Sequence, residues 1–147
     1  MNNVLKLEFS SRPENEGFAR TAIAAFVALL DPTVEELTEI KTGISEAVSN
    51  AIIHGYPDSD DEMVTVECIL QEDRKVIMIV TDKGVGIENI ERAREPMFTT
   101  GKPEERSGMG FTVMESFMDR LDVESKIGEG TRVVMIKILD AGYELQL

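Results

Sequence analysis

The chain has 147 residues, 42% of them hydrophobic, with 28 Asp plus Glu against 15 Lys plus Arg, a formal net charge of −13 and one cysteine. That length suits one ordinary domain whose core needs no disulfide or metal. An acidic field spread along the chain repels phosphate backbones and argues against direct nucleic-acid binding, so any control of genes is expected to run through another protein.

The opening "MNNVLKLEFSS" lacks a basic-then-apolar leader, and no apolar run nears the roughly 18 residues of a membrane helix. A soluble, cytoplasmic protein is expected. "VLKLEF" alternates, with Leu5, Leu7 and Phe9 on one face of a strand. Ser11 and Glu14 then have the spacing of a capping box, with Pro13 in the first turn. They predict a helix to about Leu30 whose apolar stripe is Phe18, Ala22, Ala25, Phe26 and Leu29. Thr33 and Glu36 repeat the signal and open a second helix with the stripe Leu37, Ile40, Ile44, Ala47, Val48 and Ala51, ending at Gly55 with Pro57 beyond.

Two strands follow, about Met63 to Gln71 and Lys75 to Thr81, joined as a hairpin by "EDR". Cys68 falls on the face shared by Val64, Val66 and Leu70, which makes it a small core hydrophobe and suits a reducing compartment. "KVIMIVTD" is apolar on both faces and is expected at the centre of the sheet. A glycine-punctuated stretch then holds one short helix around Ile90 to Arg94. "GFTVMESFM" predicts a further helix, and "RLDVES" with "TRVVMIKIL" a closing hairpin around "KIGEG". This order predicts an α/β fold of the α+β two-layer kind, one mixed, mostly antiparallel sheet with helices on one face.

Several chemistries are missing. There is no GxxxxGK[ST] phosphate loop, no nucleophile elbow, and too little Cys and His for a metal cluster. "GMGFTV" lacks the third glycine of a dinucleotide fingerprint. Four short motifs are present instead: "EAVSN" on a helix, "DKGVG" after the central strand, "SGMG" opening a helix, and "GEGT" before the last strand. Singly, each glycine pattern reads as turn chemistry. Glu46 and Asn50 share one helix face. Ser107, Gly108, Met109 and Gly110 lie where a helix begins, so free N–H groups can hold an anion without a basic cluster.

In this order the motifs resemble the GHKL ATPase superfamily over about Leu37 to Leu139, and the short chain with "NAIIHGY" and "MFTTGKPEERSGMGFTVMESFMD" is similar to the bacterial anti-sigma serine kinases. The resemblance implies a Bergerat fold in one domain, 1–147, with residues 1–33 as a dimer and partner surface and 34–140 as the ATP-binding core. It implies a protein-serine kinase that uses ATP and Mg2+, binds a sigma factor of the sporulation, sigma-F type, and phosphorylates an antagonist protein. A stress-response sigma factor as target, or a nucleotide-gated binder without kinase activity, are the alternatives.

By the same resemblance Glu46 is the general base and Asn50 the magnesium ligand, which suits an ion that keeps phosphate and water as its other ligands. Asp82 contacts the adenine amino group, Gly84 and Gly86 bend the backbone around the base, and Thr131 adds a hydrogen bond. Thr99, Thr100, Gly101 and Lys102 sit in a lid of about Pro96 to Arg106, and Arg106 stabilises the transferring phosphoryl group. Ser107, Gly108, Met109 and Gly110 bind phosphate. Glu16 and Arg20, an i, i+4 pair, are partner-surface candidates or a solvated ion pair, and the Leu5 to Phe9 strand a dimer edge. His54 fits best as a structural residue near the helix end.

Overall fold

The computed structural model describes residues 2–95 and 110–140. Among these residues alternating apolar runs give five strands, β1 (Asn3–Ser10), β2 (Met63–Gln71), β3 (Lys75–Asp82), β4 (Arg120–Lys126) and β5 (Gly130–Ile138). They form one sheet in the order β1-β2-β3-β5-β4, and among the described residues every pairing is antiparallel. β3 holds the centre, as its two-faced apolarity predicts, with Val80 in register between Val66 and Val133.

Among the described residues four α-helices accompany the sheet: α1 (Asn15–Val27), α2 (Val34–Asn50), α3 (Ile90–Ala93) and α4 (Gly110–Phe117). α2 packs against both α1 and α4. Val64, Val66 and Cys68 of β2, Val76 and Met78 of β3, and Met135 of β5 are buried against Ile23, Ile40, Ile44, Val48 and Met114. Each such side chain contributes roughly 1.5–3 kcal/mol by leaving water. The helices therefore cover one face of the sheet.

The cap of α2 forms as expected. Thr33 Oγ1 accepts from the Glu36 N–H at 3.0 Å, and Glu36 Oε1 accepts from the Thr33 N–H at 2.9 Å. The second Glu36 oxygen accepts the Asp140 N–H at 2.8 Å. Burial works to raise the Glu36 pKa, but these bonds and the nearby Arg74 guanidinium hold it below the ordinary value. Arg74 in turn donates to the Leu30, Asp31 and Asp140 carbonyls, joining the end of α1, the β2–β3 turn and the exit of β5.

The start and the buried face of α1 differ from the expectation. Ser11 does not cap it: its hydroxyl donates to the Ser59 carbonyl and accepts from the Glu62 N–H, both at 3.2 Å, because the loop before β2 passes over it. The N-cap position falls to Glu14, whose side chain makes no capping bond. The stripe that packs is Ala19, Ile23 and Val27, while Phe18 and Leu29 are 62% and 67% exposed. In so alanine-rich a helix two apolar stripes compete. The stripe that wins carries the β-branched Ile23 and Val27, with small Ala19 one turn before them.

Candidate functional site

At the carboxyl end of β3 the chain leaves the sheet with Asp82, only 6% exposed. Its Oδ1 accepts the Gly84 N–H at 2.9 Å. Burial pushes the carboxyl up from 3.8 to about 6, with the backbone bonds from Gly84 and Thr131 pulling the other way. A carboxylate is costly in such a place unless a donor meets it.

Asp82 forms part of the wall of a cavity of about 720 Å³, which also includes Asn50, His54, Gly86, Phe111 and Thr131. That size suits a nucleotide-sized ligand. Its walls are held by a set of local constraints. α2 does not stop as a plain helix; it runs into a wider π-turn at Ala51–Gly55, a feature that recurs at functional sites. The Gly55 carbonyl accepts from the Val85 N–H at 2.9 Å. Tyr56 is buried behind it, its hydroxyl donating to the Met63 carbonyl at 2.8 Å and accepting from the Lys83 N–H at 2.6 Å. Burial, with Asp82 and Glu62 nearby, raises the Tyr56 pKa against the lowering Lys83 bond. On the far side the Ile87 N–H donates to Ser125 Oγ at 2.7 Å, and Ser125 also bonds the Thr131 hydroxyl at 2.7 Å.

These approaches explain the glycines in a way the motif did not. A Cβ on Gly84 would lie 1.9 Å from the Gly55 carbonyl oxygen, and one on Gly86, at φ +81°, 2.3 Å from the Lys126 carbonyl oxygen. The crowding thus comes from the protein's own backbone, not only from a bound base. Gly55 belongs to the same set: its Cβ would meet the Asp82 carboxyl at 2.8 Å.

Of the sequence-predicted residues, Asn50, Asp82, Gly86, Gly110 and Thr131 meet on the cavity wall. Gly84 sits immediately behind it. Glu46 is half-buried one helical turn before Asn50 and is not itself on the wall. Thr99, Thr100, Gly101, Lys102, Arg106, Ser107, Gly108 and Met109 lie outside the described residues. Glu16 and Arg20 pair at 3.4 Å on α1, away from the cavity. Sequence reasoning missed Gly55, Tyr56, Ile87 and Phe111. Only the "HGYP" punctuation hinted at the first two, and the others look like any apolar residue.

A buried acidic acceptor between apolar walls suits a planar ligand that carries an N–H donor. A helix-covered antiparallel sheet with such an acceptor at the end of its central strand, under glycines crowded by neighbouring backbone, defines an ATP-binding domain of the histidine kinase type. The family model for the histidine kinase-like ATPase domain matches residues 9–137.

Two curated relatives narrow the class. An anti-sigma F factor of Clostridium perfringens is 56% identical over 138 residues, 93% of this chain and 97% of the relative. One of Geobacillus kaustophilus is 59% identical, over 93% of each chain. The chain belongs to the histidine kinase-like ATPase family and, within it, to the anti-sigma F factors. A solved structure of the RsbU and RsbW domains of a Mycobacterium tuberculosis protein shares the fold, with a TM-score of 0.68 over 93% of this chain and 32% of that one, at 17% identity. No helix among the described residues is long and apolar enough to cross a membrane.

Proposed function

We propose that this chain is a cytoplasmic anti-sigma factor that holds a sigma-F-type factor, and a serine kinase that inactivates the antagonist competing for it. The observation that carries the reading is the cavity with Asn50 on its wall and the buried Asp82 beneath, in a chain collinear with anti-sigma F factors over nearly its whole length.

ATP would sit with its adenine amino group donating to Asp82 and its phosphates toward Asn50 and the N-terminus of α4, where N–H groups and the helix dipole favour negative charge. Asn50 would be the side-chain ligand to Mg2+, which when bound neutralises charge on the phosphates. Thr99, Thr100, Gly101, Lys102, Ser107, Gly108, Met109 and Gly110 are the phosphate-side residues of this reading. Gly84, Gly86 and Thr131 frame the base. Glu46 takes the proton of the acceptor serine as its oxygen attacks the γ-phosphorus; the bond to the bridging oxygen breaks, ADP leaves, and Arg106 offsets the charge that develops.

The partner surface of this reading is α1, with Glu16 and Arg20. A homodimer is part of it. β1 is an edge strand, and such an edge invites pairing. Antiparallel pairing of two copies about Leu7 would set Lys6 opposite Glu8. Phe18 on α1 and Leu29 in the turn after it are exposed and would add apolar area to such a pairing.

Transfer of labelled γ-phosphate to the antagonist, compared between wild type and Glu46→Ala, tests the enzyme. The variant is expected to lose about 10²- to 10⁴-fold in transfer while still binding ATP and the sigma factor. Unchanged transfer would remove Glu46 from the mechanism. Wild-type sigma binding without any transfer would leave a nucleotide-gated binder.

A further inference from the structure

Between α1 and α2 three polar side chains close a ring. Ser45 Oγ donates to Glu16 Oε2 at 2.9 Å and accepts from Arg20 Nη1 at 3.3 Å, while that same guanidinium nitrogen lies 3.4 Å from Glu16 Oε2. Glu16 and Arg20 belong to α1, and Ser45 to α2. The other guanidinium nitrogen, Nη2, lies over Gly17, where a Cβ would stand 3.6 Å away in ordinary contact. Arg20 is therefore held through Nη1 by both Ser45 and Glu16, yet its side chain keeps 41% exposure. A plain surface ion pair between helical neighbours has no such third member.

We propose that Ser45 is a positioning residue for the partner surface: its hydroxyl fixes Arg20, through Glu16 and directly, in the one rotamer that meets an acidic group on the protein partner. This rests on the reading of α1 as the partner surface. A free arginine loses several rotatable bonds when it is immobilised in an interface, and ordering it before binding removes that loss. The hydroxyl suits the task because one atom can donate to a carboxylate and accept from a guanidinium at once. Ser45 also precedes Glu46 in the chain, so the residue that orders the docking arginine and the proposed catalytic base ride on the same helical turn.

The test is a double-mutant cycle on sigma-F affinity with the full-length chain, using Ser45→Ala, Arg20→Ala, the double variant and Ser45→Thr. Ser45→Ala is expected to weaken sigma binding about 3- to 10-fold with ATP affinity and thermal midpoint unchanged. Ser45→Thr restores binding, and the Ser45→Ala effect disappears in the Arg20→Ala background. Wild-type affinity for Ser45→Ala beside a weakened Arg20→Ala overturns the role of Ser45 alone. Undiminished affinity for Arg20→Ala overturns the partner-surface reading and the proposal with it. An equal loss from Ser45→Ala with and without Arg20 shows a general packing role and also overturns it.

Discussion

Asp82 is an acid that the fold would rather keep protonated. Its folded-state pKa stands at about 6 against an ordinary 3.8. The preference for the protonated form stabilises the chain in full below the ordinary value and is lost as pH rises through the folded one, so the ionised group costs on the order of 3 kcal/mol at pH 8. Asp82→Asn is expected to stabilise the nucleotide-free chain at pH 8 by about 1–3 kcal/mol, with the gain shrinking toward pH 4 in urea titrations. The same variant should bind ATP about 10- to 100-fold more weakly, since a charged acceptor is replaced by a neutral one. Wild-type affinity for ATP should itself decline as pH falls through 6, which isothermal titration at several pH values would follow. Asp82 was legible in the sequence because an acid ending a buried strand demands a partner. His54, the sole histidine, drew less from the sequence than its place on the cavity wall warrants.

At the scale of elements, the strands and both hairpins follow from alternation and turn residues, and α2 from its capping box. The buried face of α1 does not, because two apolar stripes share the helix and the aromatic bulk of Phe18 and Phe26 points to the one that does not carry Ala19, Ile23 and Val27. The π-turn at Ala51–Gly55 has no residue signature at all; at its end the Gly55 carbonyl leaves the helix pattern and accepts from the Val85 N–H beyond β3. Gly55→Ala should accordingly displace the Asp82 carboxyl, costing about 1–3 kcal/mol of stability and lowering nucleotide affinity. A variant that binds ATP like the wild type would show that the carboxyl tolerates the shift. Arg74 ties α1, the β2–β3 turn and the chain beyond β5 through three carbonyls. Arg74→Ala is expected to lower stability by about 1–3 kcal/mol without touching the nucleotide cavity, read as a lower thermal midpoint with unchanged ATP binding.

For the molecule as a whole, the two-layer arrangement was legible because β3 is apolar on both faces and so had to lie centrally under helices. The proposed pairing of two copies was not, since edge strands carry no mark of their partner. Phe18→Glu places a charge on an exposed site of α1 and should leave the fold intact while weakening the dimer proposed above in sedimentation equilibrium; a dimer of undiminished strength would move the interface elsewhere, and a monomeric wild type would remove the dimer from the proposal. One feature of the core also opens a practical route. Cys68 is the sole cysteine, and burial pushes its thiol up to about 12, so it presents essentially no thiolate at neutral pH. A cysteine introduced at Ile127, exposed beside the cavity, would therefore take a maleimide fluorophore selectively with the native thiol left in place, giving an optical reporter of nucleotide occupancy in a chain that contains no tryptophan.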